Sequence, residues 1–325
     1  MTLPQSFTIP PEHAGKRLDQ SLAELLPSYS RSRLQSWIES GHILLAGEMV
    51  SQKLKVWGGE SVQVTPEALP SETAYQPEDI GLNIVYEDDA ILVLNKPAGL
   101  VVHPGAGNWQ GTLLNALLHY LPLAATIPRA GIVHRLDKDT TGLMVVAKTL
   151  EAQTQLVRDL QARTVKRIYW AVALGVFTRA EGSVDAPIGR HPTQRVKMAV
   201  HDKDSSVSKS ALTYWKVLKQ YSNAAWVECR LATGRTHQIR VHLTHLGHPL
   251  LGDTVYVGKN QNRNLPGLPP GFLFQRQALH AVRLGLEHPI TGESMEWEAL
   301  PPEDFAGLLS ALEETGMTLR DFPEA

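Results

Sequence analysis

Apolar residues recur at helical spacing near the start of the chain, first at Leu18, Leu22, Leu25 and Leu26 and then at Leu34, Trp37 and Ile38. Ser30 stands at the head of the second series and Gly41 just past its end, residue types that cap and stop helices. This spacing predicts two short helices, followed by strands at HILLAGEMV (42–50) and SVQVTP (61–66) around turn glycines. The stretch from Pro66 to Pro77 has linker composition. Beyond it, the pattern predicts strand–turn–strand over 84–99, a helix over 112–121, a buried strand over 142–149, a helix over 152–163 and a strand over 168–176. A hairpin over 211–233 and a helix over 236–247 follow, and 258–271 reads as a long surface loop. Strands outnumber helices and many neighbours are joined as hairpins. The expected class is therefore α+β, with a mainly antiparallel mixed sheet rather than a doubly wound one. The expected division is a small αα-β module at 1–70, a linker at 71–80 and a larger domain at 81–325.

Composition narrows the function classes. The 325 residues are 43% hydrophobic and 20% charged, as in ordinary globular domains. The single cysteine, Cys229, leaves no internal disulfide and no Cys-rich zinc framework. No apolar run reaches the roughly 18 residues of a membrane span, and prolines and charges break the first residues where a secretory leader would be apolar. A cytoplasmic, membrane-free protein is expected. The net charge of −2 argues against a nucleic-acid partner until it is divided along the chain. Residues 129–219 carry +8, between −6 before and −4 after, so a local basic field is available to a polyanion.

The densest chemistry lies in the run Gly131–Gly142, GIVHRLDKDTTG. An apolar entry, a polar cluster and a glycine before a buried strand place His134, Arg135, Asp137, Lys138 and Asp139 on a turn between rigid elements. In an extended segment, Asp137 and Asp139 share a side and would suit the acid/base pair of a glycosidase. The plain alternative is a turn with surface ion pairs. A second cluster, LATGRTHQIRVHL (231–243), passes from strand to helix, and Arg240 is a candidate partner for a buried carboxylate. It lies a turn beyond Thr236 and His237, on a polar face above Ile239 and Leu243. His242, His245 and His248 invite a metal reading, but no HExxH pattern accompanies them. The GAGNWQG run (105–111) has the wrong spacing for a dinucleotide loop and reads as a turn.

The runs HRLDKDTTG (134–142), KRIY followed by WA (166–171) and TGRTHQIRVH (233–242) resemble the three motifs of the RluA family of RNA pseudouridine synthases. Asn95-Lys96-Pro97, His103-Pro104-Gly105, Gly252-Asp253 with Tyr256, and Arg276–His280 follow the same order. Residues 17–50 resemble an S4 RNA-binding domain, with Arg31 and Arg33 opening its second helix, although residues 1–65 carry 6 basic and 6 acidic side chains. The wording of 103–108 and 128–149 resembles the branch acting on 23S, large-subunit ribosomal RNA.

The resemblance implies a pseudouridine synthase fold and a cofactor-free, metal-free isomerase acting on 23S ribosomal RNA or its precursor particle, expected to work as a monomer. It implies Asp137 as nucleophile at a flipped uridine, Arg240 as the partner keeping it charged, and Tyr169 stacking on the uracil or helping to remove the C5 proton. It further implies RNA contacts by His134, Arg135, Lys166, Arg167, Arg235, His237, Arg31 and Arg33, with Arg163, Arg190, Arg195 and Lys197 holding the backbone. A glycosidase-type hydrolase and a non-catalytic S4 binding protein are the alternatives.

Overall fold

The computed structural model describes residues 5–66, 75–105, 107–194, 196–203, 205–257, 268, 272 and 274–314, and the backbone of 318–320. Arg195 and most of 258–271 therefore lie outside the described residues, as do 67–74, which include 71–74 of the expected linker. The chain divides into two compact units, Met1–Thr73 and Ala74–Ala325.

The first unit contains β1 (Gln5–Thr8), α1 (Leu18–Leu25), α2 (Arg31–Glu39), β2 (Ile43–Leu45) and β3 (Ser61–Val64). Strand β3 is central and antiparallel to both β1 and β2. The Ser30 hydroxyl accepts the Arg33 backbone N–H at 3.3 Å, satisfying one free donor of α2. The predicted periodicity is the buried face: Leu18, Leu22, Leu34, Trp37 and Ile38 pack with Ile43, Val62 and Val64. The strand predicted over 42–50 stops at Leu45. Ala46 and Gly47 both take positive φ, and Glu48 hydrogen-bonds back to Leu45, so the chain reverses there.

The second unit is built on β4 (Ile84–Glu87), β5 (Ile91–Lys96), α3 (Leu113–Tyr120), β6 (Thr141–Ala147), α4 (Leu150–Ala162) and β7 (Lys166–Leu174). Then come the short strands β8 (Glu181–Asp185), β9 (Ile188–Arg190), β10 (Met198–Val200) and β11 (Ser208–Lys209), and the hairpin β12 (Leu212–Tyr221) and β13 (Ala224–Leu231). Helix α5 (Gln238–His245), β14 (Leu279–Glu287), β15 (Ser294–Glu298), α6 (Glu303–Glu314) and β16 (Thr318–Arg320) complete it. The main sheet runs β16-β12-β13-β7-β14-β6-β5-β4, with β15 on β14 and β8 on β12. Its pairs are antiparallel except for β14 and β6.

Both faces of this sheet are covered, which is why β6 is a continuous apolar run. Met144 and Val146 enter the core shared with α3 and α5, whereas Leu143, Val145 and Ala147 enter the core beneath α4. Strand β7 alternates likewise and turns Tyr169, Ala171 and Ala173 to the α3–α5 side. The parallel contact brings β14 so near β6 that a Cβ on Gly142, at φ +113°, would lie 2.3 Å from the Ala281 carbonyl oxygen. Gly142 thereby sets where the loop before β6 emerges.

Candidate active site

Asp137 sits in that loop. The Thr140 N–H donates to the Asp137 carbonyl at 3.1 Å, making 137–140 a turn. The alternation of an extended strand, the basis for an Asp137/Asp139 pair on one side, does not apply. Three groups pin the loop. The buried Lys96 Nζ donates to the carbonyls of Pro97, Leu100 and Lys138 at 2.8, 3.0 and 2.8 Å. Arg276, bidentate to Asp304 at 2.7 and 2.9 Å, also donates to the Asp139 carbonyl at 3.1 Å. His134 Nε2 accepts the Val145 N–H at 3.1 Å, which needs an unprotonated nitrogen there. Burial, with Arg167 adding to it, brings His134 down to about 3 and keeps the ring neutral. His134 thus anchors its own loop to β6 rather than presenting a cation to RNA.

The second cluster delivers Arg240 to Asp137. Gln238 locks the strand-to-helix turn: its Oε1 accepts from Thr233 Oγ1 at 2.8 Å and the Arg235 N–H at 2.9 Å, while its Nε2 donates to the Leu212 carbonyl at 3.0 Å. His237 caps α5 in the left-handed region, at φ 57°, so the helix begins at Gln238 and not at Thr236. Arg240 then points into the protein, 4% exposed, and not onto a solvated polar face. Its Nη1 donates to Asp137 Oδ2 at 2.9 Å, and its Nε and Nη2 bind the two oxygens of Asp253 at 2.7 and 2.9 Å. Burial alone would lower the Arg240 pKa, but hydrogen bonds and charge from Asp253, joined by Asp137, raise it above the ordinary arginine value. Gly252, where a Cβ would lie 1.9 Å from the Arg276 carbonyl oxygen, lets Asp253 reach this position.

Tyr169 on β7 and His237 close the site around Asp137. Tyr169 is 4% exposed, and burial raises its phenol, Arg167 opposing and Asp137 assisting. His237 Nε2 lies 4.0 Å from Asp137 Oδ2, and its Nδ1 shares a 2.8 Å hydrogen bond with the Tyr256 hydroxyl. Arg135, Asp137, Tyr169, Arg235, His237 and Arg240 line one narrow cleft, walled by Leu231 and Leu279. Arg135, Asp137, Tyr169 and Arg235 also border a larger cavity of about 500 Å³, which His134, Arg163 and Arg167 reach. Lys166 stays exposed at the start of β7 and lines neither. In the first unit, Arg31 binds the buried Asp19 through Nε and Nη2 at 3.0 and 2.8 Å, and the Arg33 guanidinium lies 4.8 Å from the Trp37 ring centre.

Lys96, Asp253 and Arg276 were given no task by the sequence. A lysine closing an apolar strand and an acid after a glycine were the available signals, and each needs a distant partner to acquire meaning. Two of the three clustered histidines are otherwise engaged: His242 bonds Thr213 Oγ1 and the Ala186 carbonyl, and His248 the Leu174 carbonyl, all at 2.9 Å. Among the described residues, no three His, Cys, Asp or Glu side chains are grouped to hold a metal ion.

A buried arginine dividing its donors between a fixed carboxylate and a partly free one, beside a buried tyrosine, coincides with two family matches. Residues 90–245 match the RNA pseudouridylate synthase family and residues 16–62 the S4 domain. The chain belongs to the RNA pseudouridine synthases, isomerases acting on RNA. It is 54% identical over 304 residues to ribosomal large subunit pseudouridine synthase D of Pasteurella multocida (strain Pm70), covering 92% of this chain and 91% of that protein. It is 51% identical over 311 residues to the synthase of the same name from Escherichia coli (strain K12), covering 94% and 93%. Human RNA pseudouridylate synthase domain containing 4 is a solved structure with 30% identity and a TM-score of 0.55, over 71% of this chain and 93% of its own.

Proposed function

We propose that this chain converts specific uridines of large-subunit (23S) ribosomal RNA to pseudouridine, in the cytoplasm, on the RNA or its precursor particle, with Asp137 as nucleophile. The reading draws on relatives named for the ribosomal large subunit. The observation that carries it is the uneven division of Arg240. Asp253 occupies Nε and Nη2, and Asp137 receives Nη1 alone on Oδ2. Asp137 is thus oriented by a cation without both oxygens being tied down, and its side chain keeps 14% exposure toward the cleft. A nucleophilic carboxylate requires this combination.

The uridine must leave its stack to enter a cleft this narrow. Asp137 attacks the ribose C1′ or the base. In either course the N1–C1′ bond breaks, the uracil turns, C5 bonds to C1′, the C5 proton departs and N1 gains one. Mass is unchanged, and neither an oxidant nor a hydrolytic water enters the balance. Tyr169, its phenol raised by burial, stays a neutral phenol at neutral pH, and its ring is suited to stacking on the uracil. His237 and Arg235 border the same cleft and suit contact with the flipped nucleotide.

The test is a pseudouridine map of ribosomal RNA from cells lacking the protein, read by chemical tagging because the product is mass-silent. Defined large-subunit positions should lose the modification and regain it with the wild-type chain but not with Asp137→Asn. An unchanged map would overturn the reading.

A further inference from the structure

The Tyr256 hydroxyl stands between two nitrogens. It accepts the Met198 backbone N–H of β10 at 2.9 Å and meets His237 Nδ1 at 2.8 Å. A phenol carries one hydrogen, and among the described residues no other acceptor takes it. Were Nδ1 protonated, the Tyr256 oxygen would accept twice and its own hydrogen would be left without a partner, which is costly in a half-buried position. The favoured arrangement is therefore Tyr256 O–H donating to a bare Nδ1, with the imidazole hydrogen on Nε2. Asp137 selects the same tautomer. A bare Nε2 would turn its lone pair toward Asp137 Oδ2, 4.0 Å away, whereas Nε2–H turns a positive edge to it. Burial, against the pull of Asp137, holds His237 below the ordinary histidine value, and burial pushes Tyr256 up to about 12, so at neutral pH the pair is imidazole and phenol.

Tyr256 is itself held firmly. Its backbone N–H donates to Asp253 Oδ1 at 3.1 Å, the oxygen that also accepts from Arg240 Nη2. Its ring centre lies 5.2 Å from the Arg240 guanidinium carbon, and the side chain packs against Ile188, Ala211 and Val241. Tyr256 lines neither the cleft nor the larger cavity, whereas His237 borders the cleft beside Asp137. At 4.0 Å, beyond hydrogen-bond length, the Nε2–H is not spent on Asp137 and stays available to an occupant of the cleft.

We propose that Tyr256 is a positioning residue that fixes His237 as the Nε2–H tautomer, and that this N–H donates to a uracil carbonyl oxygen of the flipped uridine. The inference rests on the uridine-isomerising reading above. Attack at C1′ releases the uracil as an anion, and attack on the base makes an enolate, so in either course negative charge grows on a carbonyl oxygen. A neutral donor aimed in advance stabilises that oxygen more as charge develops than in the ground state. A bare nitrogen would repel it, and an imidazolium would compete with Arg240 for Asp137.

Two measurements on the full chain test this. In protein carrying ¹⁵N-labelled histidine at neutral pH, the His237 signals, assigned by their disappearance in His237→Ala, should show Nδ1 bare and Nε2 protonated. The opposite tautomer in the wild type would overturn the inference. The second measurement uses a synthetic RNA fragment carrying a mapped target uridine. Tyr256→Phe keeps the ring over Arg240 and removes only the hydroxyl; it should slow single-turnover pseudouridine formation about tenfold with Kd for RNA unchanged. His237→Ala should slow it roughly 10²-fold, and Tyr256→Phe added to His237→Ala should cost nothing more. An equal cost of Tyr256→Phe in both backgrounds would mean that the hydroxyl acts through Met198 or Arg240 instead, and a fully active Tyr256→Phe would leave it no task. Either result would overturn the inference while leaving the isomerase reading intact. A wild-type chain that forms no pseudouridine would overturn both.

Discussion

In the first unit, Asp19 has no exposed side-chain surface and takes five hydrogen bonds of 2.6–3.0 Å, from Arg17, Arg31 and Gln35. In the second unit the ratio is inverted, for Arg240 is the buried cation and two carboxylates divide its donors. Asp19 is saturated. Burial opposes its ionisation, yet hydrogen bonds from Gln35, Arg31 and Arg17 outweigh that and bring it down to about 2. A carboxylate so held has neither a free oxygen nor reason to react, and it ties α1 to α2. Asp137 receives a single hydrogen bond from Arg240 and faces a cleft. The same two residue types thus build a structural clasp when donors exceed acceptors and a reactive group when acceptors exceed donors.

The largest effect should come from Asp137→Asn. The amide oxygen can still accept from Arg240, so folding and RNA affinity should persist while single-turnover pseudouridine formation falls roughly 10⁴-fold. Asp139→Asn should retain activity. Equal loss in both variants, with the fold intact, would return the two-carboxylate hydrolase to contention.

Arg240→Ala leaves the buried Asp253 and the partly buried Asp137 without their cation. A stability loss of about 3–5 kcal/mol is expected in denaturant unfolding, with activity lost alongside. Arg240→Lys should be milder but impaired, since an ammonium cannot serve both carboxylates with a planar fork. Salt-sensitive RNA binding with normal chemistry at saturating RNA would make Arg240 a phosphate contact instead.

Asp253→Asn probes the division itself. With one carboxylate gone, Arg240 is free to grip both oxygens of Asp137, turning the reactive group toward the Asp19 pattern. About 1.5–3 kcal/mol of charge-assisted hydrogen bonding should be lost, and kcat should fall while Kd for RNA holds. Unaltered kcat would show that Asp137 needs no help from Asp253.

Asp19→Asn should have the smallest effect, about 1–2 kcal/mol at neutral pH, because Arg17 and Arg31 keep access to water. The sign with pH follows from the lowered pKa. Its contribution is complete above about 3.8 and is lost as pH falls through about 2, where Asp19 is protonated in folded and unfolded chains alike. The stability gap between wild type and Asp19→Asn should therefore close between those pH values. A gap that stays constant across them would remove the carboxylate charge from the explanation.

Short-range order was legible in the sequence because its causes are short-range. The periodicity of Leu18, Leu22, Leu34 and Trp37, the Ser30 cap, the continuous apolar run of β6 and the β12–β13 hairpin each depend on residues within a turn or a strand of one another. The Asp137 loop was visible too, as a dense polar cluster before a buried strand. β1, β14, β15 and α6 carry weaker local patterns and went unread. So did the arithmetic of donors around Asp137, since Arg240 lies 103 residues away, Lys96 meets the Lys138 carbonyl across 42, and Arg276 reaches the Asp139 carbonyl across 137. The amino-acid sequence by itself determined which residue types were present and which local elements could bury their apolar faces. Only the tertiary structure decided that Asp253 would occupy most of the Arg240 fork, that His134 would turn inward and that the Arg167 Nε would be buried without a partner. Electrostatic roles depend on distance and burial, and both are set by packing between segments that have no local knowledge of each other.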